Sequence, residues 1–183
     1  PLYSSAASDV YKRQALGNYQ DLLTAVTQNL SMGCMLTYRG NRKEDPKTGR
    51  HPDENYAREV MQLFSIGLLE LAPDGTVRKV DGAPVETYTN ADVQGLAKVF
   101  TGWDINGPET DVEFHRRPMA LNNALHSMAE KRFLGAVIPP GTDGRLSLKR
   151  AMDVICAHPN VGPFIGMQPV SYTHLTLPTN REV

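Results

Sequence analysis

The cleanest periodic signal in the chain is the stripe Val93, Leu96, Ala97 and Phe100, spaced i, i+3, i+4 and i+7. That spacing puts four apolar side chains on one face of a helix, because 3.6 residues complete a turn. Thr89 followed by Asp92 has the form of a capping box, in which two side chains answer free amide hydrogens at the helix start. Gly102 stops the helix, and Trp103, the only tryptophan, is expected to fold back on it. A second stripe, Tyr56, Ala57, Val60, Met61 and Phe64, predicts a helix from Asp53 to Ile66, capped by Asp53 and ended by Gly67. Glu54 and Arg58 stand four apart on its polar side, in the order that favours a surface pair. These two helices are expected to pack together, with Val60, Phe64, Leu96, Phe100 and Trp103 in one cluster.

Upstream, Leu16, Tyr19, Leu22, Leu23, Val26 and Leu30 follow three- and four-residue steps and predict helix from Ala15 to about Tyr38. It is either one helix with a weak point at Gly33 or two pieces. Arg39 to His51 is polar, with Pro46 and Gly49, and reads as an exposed loop. Between Leu68 and Thr87 the turn signals Pro73-Asp74-Gly75 and Asp81-Gly82 separate short runs and predict a small β-hairpin. From Asp104 to Leu125 there is no helical period; Asp111, Glu113 and His115 alternate with Val112 and Phe114, which suits a short extended segment. A last helix is expected from Ser147 to Ala157 on Leu148, Ala151, Met152 and Ile155, with Asn160 capping a further short one. The fold class expected from these elements is mainly α: a helical-bundle fragment with a short β-hairpin or turn-rich insert between two core helices.

The two ends change what counts as protein. Ser4 to Gln14 (SSAASDVYKRQ) is encoded without mismatch by a DNA string resembling the transposase adapter of short-read sequencing libraries. Val170 to Thr179 (VSYTHLTLPT) is encoded by its reverse complement. Two such matches in opposite orientation imply that residues 1–14 and 169–183 are adapter-derived tails, and that 15–168 is a fragment of one helical domain. Without the tails, 16 basic and 18 acidic residues remain of the 19 and 20 in the whole chain. That near-neutral balance gives no support to nucleic-acid binding. No apolar run approaches the ~20 residues that span a bilayer. Cys34 and Cys156, far apart and set among apolar residues, read as small buried hydrophobes and not as a disulfide or metal pair.

Several words in register resemble a bacterial family known as domain of unknown function 1800. They are Met35-Leu36-x-Tyr38, Glu54 to Glu59, Leu63-Phe64-x-Ile66-Gly67, Tyr88-Thr89-x-x-Asp92-Val93 and Phe100 to Trp103. His126, Lys131-x-Phe133-Leu134-Gly135 and His158 to Phe164 follow in the same order. The resemblance implies a predominantly helical protein, exported to the periplasm or outside the cell, whose gene accompanies that of a second exported protein with a sulfatase-like look. It does not imply a reaction, and any cofactor is left unknown. Where many members have Asp after the histidine this chain has Ser127, which weakens the case for a carboxylate beside His126.

Two constellations could carry chemistry. Asn55 and Glu59 stand one helical turn apart, so an amide and a carboxylate could converge on a ligand, with Arg58, Asp92, Thr101, His126 and Lys131 as further candidates. The same residues suit, as the first reading, a buried polar lock in which Arg58 forks onto Glu54, Glu59 or Asp92. Lys131 becomes a base or nucleophile only if its ammonium is desolvated, whereas Glu130-Lys131-Arg132 reads first as a wet charge run. Asp111, Glu113 and His115, with His126, are the weak candidates for a divalent metal, since alternation would put the first three on one side of a strand. Two functions remain open: a scaffold or binding partner of a co-exported protein, and an exported hydrolase with Asn55, Glu59 and His126 gathered in one pocket.

Overall fold

The computed structural model describes residues 17–176 except positions 109 and 112, with side chains described as far as Gln168. The first helical stretch is in two pieces, α1 (Tyr19–Thr27) and α2 (Leu30–Met35). The break falls at Asn29, not at Gly33. The Asn29 side chain accepts from the amides of Ser31 and Met32 and so starts a new helix. Gly33 lies inside α2, where a Cβ would meet the Met119 sulfur at 2.7 Å.

Helix α3 (Asn55–Gln62) starts two residues later than the sequence suggests. Asp53 still accepts the Asn55 amide at 2.8 Å. Gly67 takes the left-handed conformation after it, with φ of 70°. The excursion that follows is a hairpin of β1 (Lys79–Val80) and β2 (Ala83–Pro84), turned by Asp81 and Gly82 at φ of 51° and 83°. Helix α4 (Asn90–Ala97) carries the full Thr89–Asp92 capping box and tightens into a 3-10 turn at Lys98–Phe100.

Two further strand pairings and two helices complete the architecture. β3 (Trp103–Asp104) pairs with β4 (Ala120–Leu121), and β5 (Lys131–Phe133) pairs with β6 (Ala136–Ile138), both antiparallel. α5 (Gly144–Cys156) is capped by Asp143 and starts three residues before the start expected at Ser147, and α6 spans Val161–Thr176. The expected mainly helical bundle is therefore corrected. Among the described residues, six helices and three small antiparallel sheets make a mixed α/β fold. Each strand is only two or three residues long, so no alternating pattern could announce it. The segment with Asp111, Glu113 and His115 is likewise no strand; it is a turn leading into a 3-10 helix at Phe114–Arg116.

The core joins α3, α4 and the 3-10 turn. Tyr56, Val60, Leu96, Phe100 and Trp103 are buried there as one cluster, with Phe64 half-buried against it. Tyr38 stacks on Tyr56 at 4.0 Å between ring centres, and Tyr56 meets Phe100 edge-on at 4.8 Å. Both hydroxyls are satisfied: Tyr38 donates to the Thr27 carbonyl, and Tyr56 shares a hydrogen bond with the Thr27 hydroxyl. Asn160 is not simply a helix cap. Its side chain accepts from the Leu71 amide and donates to the carbonyls of Ile66 and Leu69, tying the start of α6 to the excursion. Cys34 is exposed and not buried, whereas Cys156 is half-buried. Ser4 to Gln14 and Leu177 to Thr179 lie outside the described residues.

Candidate functional site

Thr101, at the end of the 3-10 turn, organises a polar knot. Its hydroxyl donates to the Lys98 carbonyl at 2.7 Å and accepts the Ser127 amide at 2.8 Å. Its carbonyl oxygen lies 2.8 Å from Nδ1 of His126. A carbonyl can only accept, so Nδ1 carries the proton and Nε2 of the neutral ring is a bare lone pair. That Nε2 is buried and has no hydrogen-bond partner. Gly102 permits the approach: a Cβ there would sit 3.0 Å from the His126 amide, and its φ of +83° suits no other residue well.

Glu44 reaches into the knot from the loop between α2 and α3. One carboxylate oxygen accepts from the Ser127 hydroxyl at 2.9 Å, and the other is buried without a partner. Ser127, standing where the resemblance leads one to expect Asp, thus recruits a carboxylate to the neighbourhood of His126. Lys131 on β5 is fully buried, with only the Ala129 carbonyl at 3.4 Å to accept from its ammonium. Burial pushes its pKa down from 10.5 to about 8, with nearby Lys98 adding to the fall and Glu44 and Asp143 opposing it. His126 is lowered as well, chiefly by burial and then by Lys131, against the pull of the Thr101 carbonyl, Asp143 and Glu44. Both shifts have one cause: a charge is poorly solvated here.

The other candidates are placed elsewhere. Arg58 pairs with Glu54 at 3.3 Å and also donates to the Asn90 side chain. Asn55 is exposed, with its amide 3.5 Å from the Thr37 hydroxyl, and one Glu59 oxygen is buried without a partner. Asp92 does structural work at two places. One oxygen serves the capping box, and the other accepts the Leu134 amide at 2.7 Å. Leu134 and Gly135 form the left-handed turn of the β5–β6 hairpin, with φ of 48° and 74°, so Asp92 holds a strained turn against α4. Burial alone would raise the Asp92 pKa, but the hydrogen bonds from Thr89 and Leu134 outweigh it and hold the group below the usual carboxylate value.

Asp111 pairs with Arg117 at 2.6 Å and Glu113 with Arg116 at 3.0 Å. Among the described residues no group of three or more His, Cys, Asp or Glu side chains is placed to hold a metal ion. A cleft of about 800 Å³ lies between segment 44–54, α4 and Arg132. Glu44, Lys98, Glu130 and Arg132 line it; Asn55, Glu59 and His126 do not. Glu44 and Asp143 escaped the sequence reading, because a loop carboxylate has no period to mark it. The His126-Ser127 pair was the only pointer.

The family described as "Protein of unknown function (DUF1800)" matches residues 1–172, and the chain belongs to that family. No curated protein matches the chain, and no solved structure does. Among the described residues no helix is long and apolar enough to cross a membrane.

Proposed function

We propose, taking membership of that family as the premise, that this chain acts by binding and not by catalysis, as part of an exported bacterial protein that works with a second exported protein encoded nearby. The observation that supports this reading is the fate of the reactive groups. His126, Ser127, Lys131 and Thr101 are closed off from solvent, whereas the open cleft is lined by other residues. A catalyst must bring its acid, base or nucleophile to the substrate, within about 3 Å of the reacting atom. Leu63, Leu68 and Val80 are meanwhile each more than half exposed on α3's end and the excursion, and apolar side chains of that size suit contact with another protein surface. Export and the neighbouring partner rest on the family resemblance.

The test begins with recovery of the complete gene from genomic DNA. Its sequence should depart from this chain at residues 1–14 and 169–183 if those tails are adapter-derived. The full-length protein is then mixed with the purified product of the adjacent gene, and binding is followed by calorimetry. A defined stoichiometry, weakened by Leu63→Asp and Leu68→Asp, is the expected result. Absence of binding, together with hydrolysis of ester, sulfate or glycoside substrates that is lost in His126→Ala, would replace this reading with that of an exported hydrolase around Asn55, Glu59 and His126.

A further inference from the structure

The turn into α6 uses a histidine as an acceptor. The Asn160 amide donates to Nδ1 of His158 at 3.1 Å. A backbone amide can only donate, so Nδ1 is the bare lone pair and the proton sits on Nε2, the reverse of His126. Pro159, with its fixed φ, stiffens the link between the two residues. Asn160 is only 3% exposed. Its side chain accepts from the Leu71 amide at 2.6 Å and donates to the carbonyls of Ile66 and Leu69 at 2.5 and 2.9 Å. Those groups open the excursion, which is bridged further along from Leu69 to Glu86 and from Leu71 to Val77. α6 lies close against the same segment. A Cβ on Gly67 would meet the Phe164 ring at 2.5 Å, and one on Gly75 the Met167 sulfur at 2.4 Å.

We propose that His158, Asn160 and residues 66–71 form an acid-sensitive latch, which holds the excursion against α6 while the ring is neutral and loosens when the ring takes a proton. Protonation puts a hydrogen on Nδ1. Two N–H groups 3.1 Å apart repel, so the ring must turn away, and the Asn160 amide then loses its partner in a place closed to water.

The half-buried site already disfavours the charged ring. Burial pushes the His158 pKa below its ordinary 6.5, against the pull of Glu70 on the excursion. Glu70 is itself held by Arg78 at 2.7 Å, while on α5 Asp153 and Cys156 bear on one another. The latched ring thus has the lower pKa and the released ring the ordinary one. The latch is at full strength above 6.5 and is lost progressively as pH falls from there through the lowered value. It stands whether or not this chain binds a partner, because every group in it belongs to the chain.

Amide hydrogen exchange on the folded chain tests it at the Leu71 amide, with rates corrected for the pH dependence of exchange in free peptides. Protection of Leu71 should fall on acidification from about pH 7.5 to about pH 5, by at most about tenfold per pH unit, the slope of a single proton. The Gly102 amide, bonded to the Asn41 carbonyl, should keep its protection. His158→Asn offers a carboxamide oxygen in place of Nδ1, an acceptor that does not titrate, so in that variant the fall should vanish. Leu71 protection that ignores pH in the wild type would overturn the proposal, as would a fall shared by Gly102 or retained in His158→Asn. Nitrogen-15 NMR of the wild type decides independently of the variant: a proton on Nδ1 of His158 at neutral pH would also overturn it.

Discussion

Gly95→Ala should destabilise this protein, although glycine-to-alanine in a helix interior normally stabilises by about 1 kcal/mol. Gly95 lies in α4 on the face that meets β5. A Cβ added there would sit 1.7 Å from the Arg132 carbonyl oxygen, 2.7 Å from its carbon and 3.2 Å from its nitrogen. Real Cβ atoms essentially never come closer than 3.0 Å, so the oxygen contact is short by at least 1.3 Å. The atom in the way is backbone, so no rotamer change relieves the clash. Helix and strand must separate, and Asp92 must then release Leu134 or drag the hairpin turn with it. Overpacking costs about 1–3 kcal/mol where side chains can adjust; a backbone clash belongs at the upper end, roughly 3 kcal/mol, with the helix gain deducted. Urea denaturation followed by circular dichroism measures it. Gly166→Ala in α6, where a Cβ meets nothing within 4 Å, is the control and should be neutral or stabilising. If Gly95→Ala matched the wild type in midpoint while keeping its slope, the close α4–β5 approach would be refuted.

Asn160→Ala should cost about 2–3 kcal/mol, because it strands the Leu71 amide and the Ile66 and Leu69 carbonyls; a thermal melt reads the loss as a fall of several degrees. Asp92→Asn should lose about 1 kcal/mol at neutral pH by weakening the cap. The folded Asp92 pKa is lowered, so its contribution is present above the ordinary carboxylate pKa and disappears as pH falls through the lowered value. Wild type and variant should therefore converge in acid, as denaturation midpoints at several pH values would reveal. For Lys131 the slope has the same sign but lies in alkali, because burial disfavours its charged form. Its folded pKa is about 8 against 10.5 in the unfolded chain, so the unfolded state binds more protons between those values and stability rises with pH there. The stability of the wild type relative to Lys131→Met should rise steadily from pH 8 to 10.5; a constant difference would show that the lysine is not desolvated.

What the residues determine by themselves is local. Val93, Leu96, Ala97 and Phe100 specify a buried helical face, and Thr89 with Asp92 specifies where that helix begins, because spacing and capping act within one or two turns. Asp81-Gly82 specifies its hairpin for the same reason, since two left-handed residues in succession leave the chain little choice. His126 and Lys131 could be named as candidates, but not their burial. That depends on Glu44, 82 residues before His126 in the numbering, and on a carbonyl of Thr101 that every residue type possesses. The pairing of β3 with β4 and of β5 with β6 was equally hidden. Strands of two or three residues are held by partners across space, which leaves no periodic trace. The mixed α/β character, the closed polar knot and the close contact at Gly95 were thus decided by tertiary structure, because each is a meeting of backbone and side chains whose separation in sequence no local preference can encode.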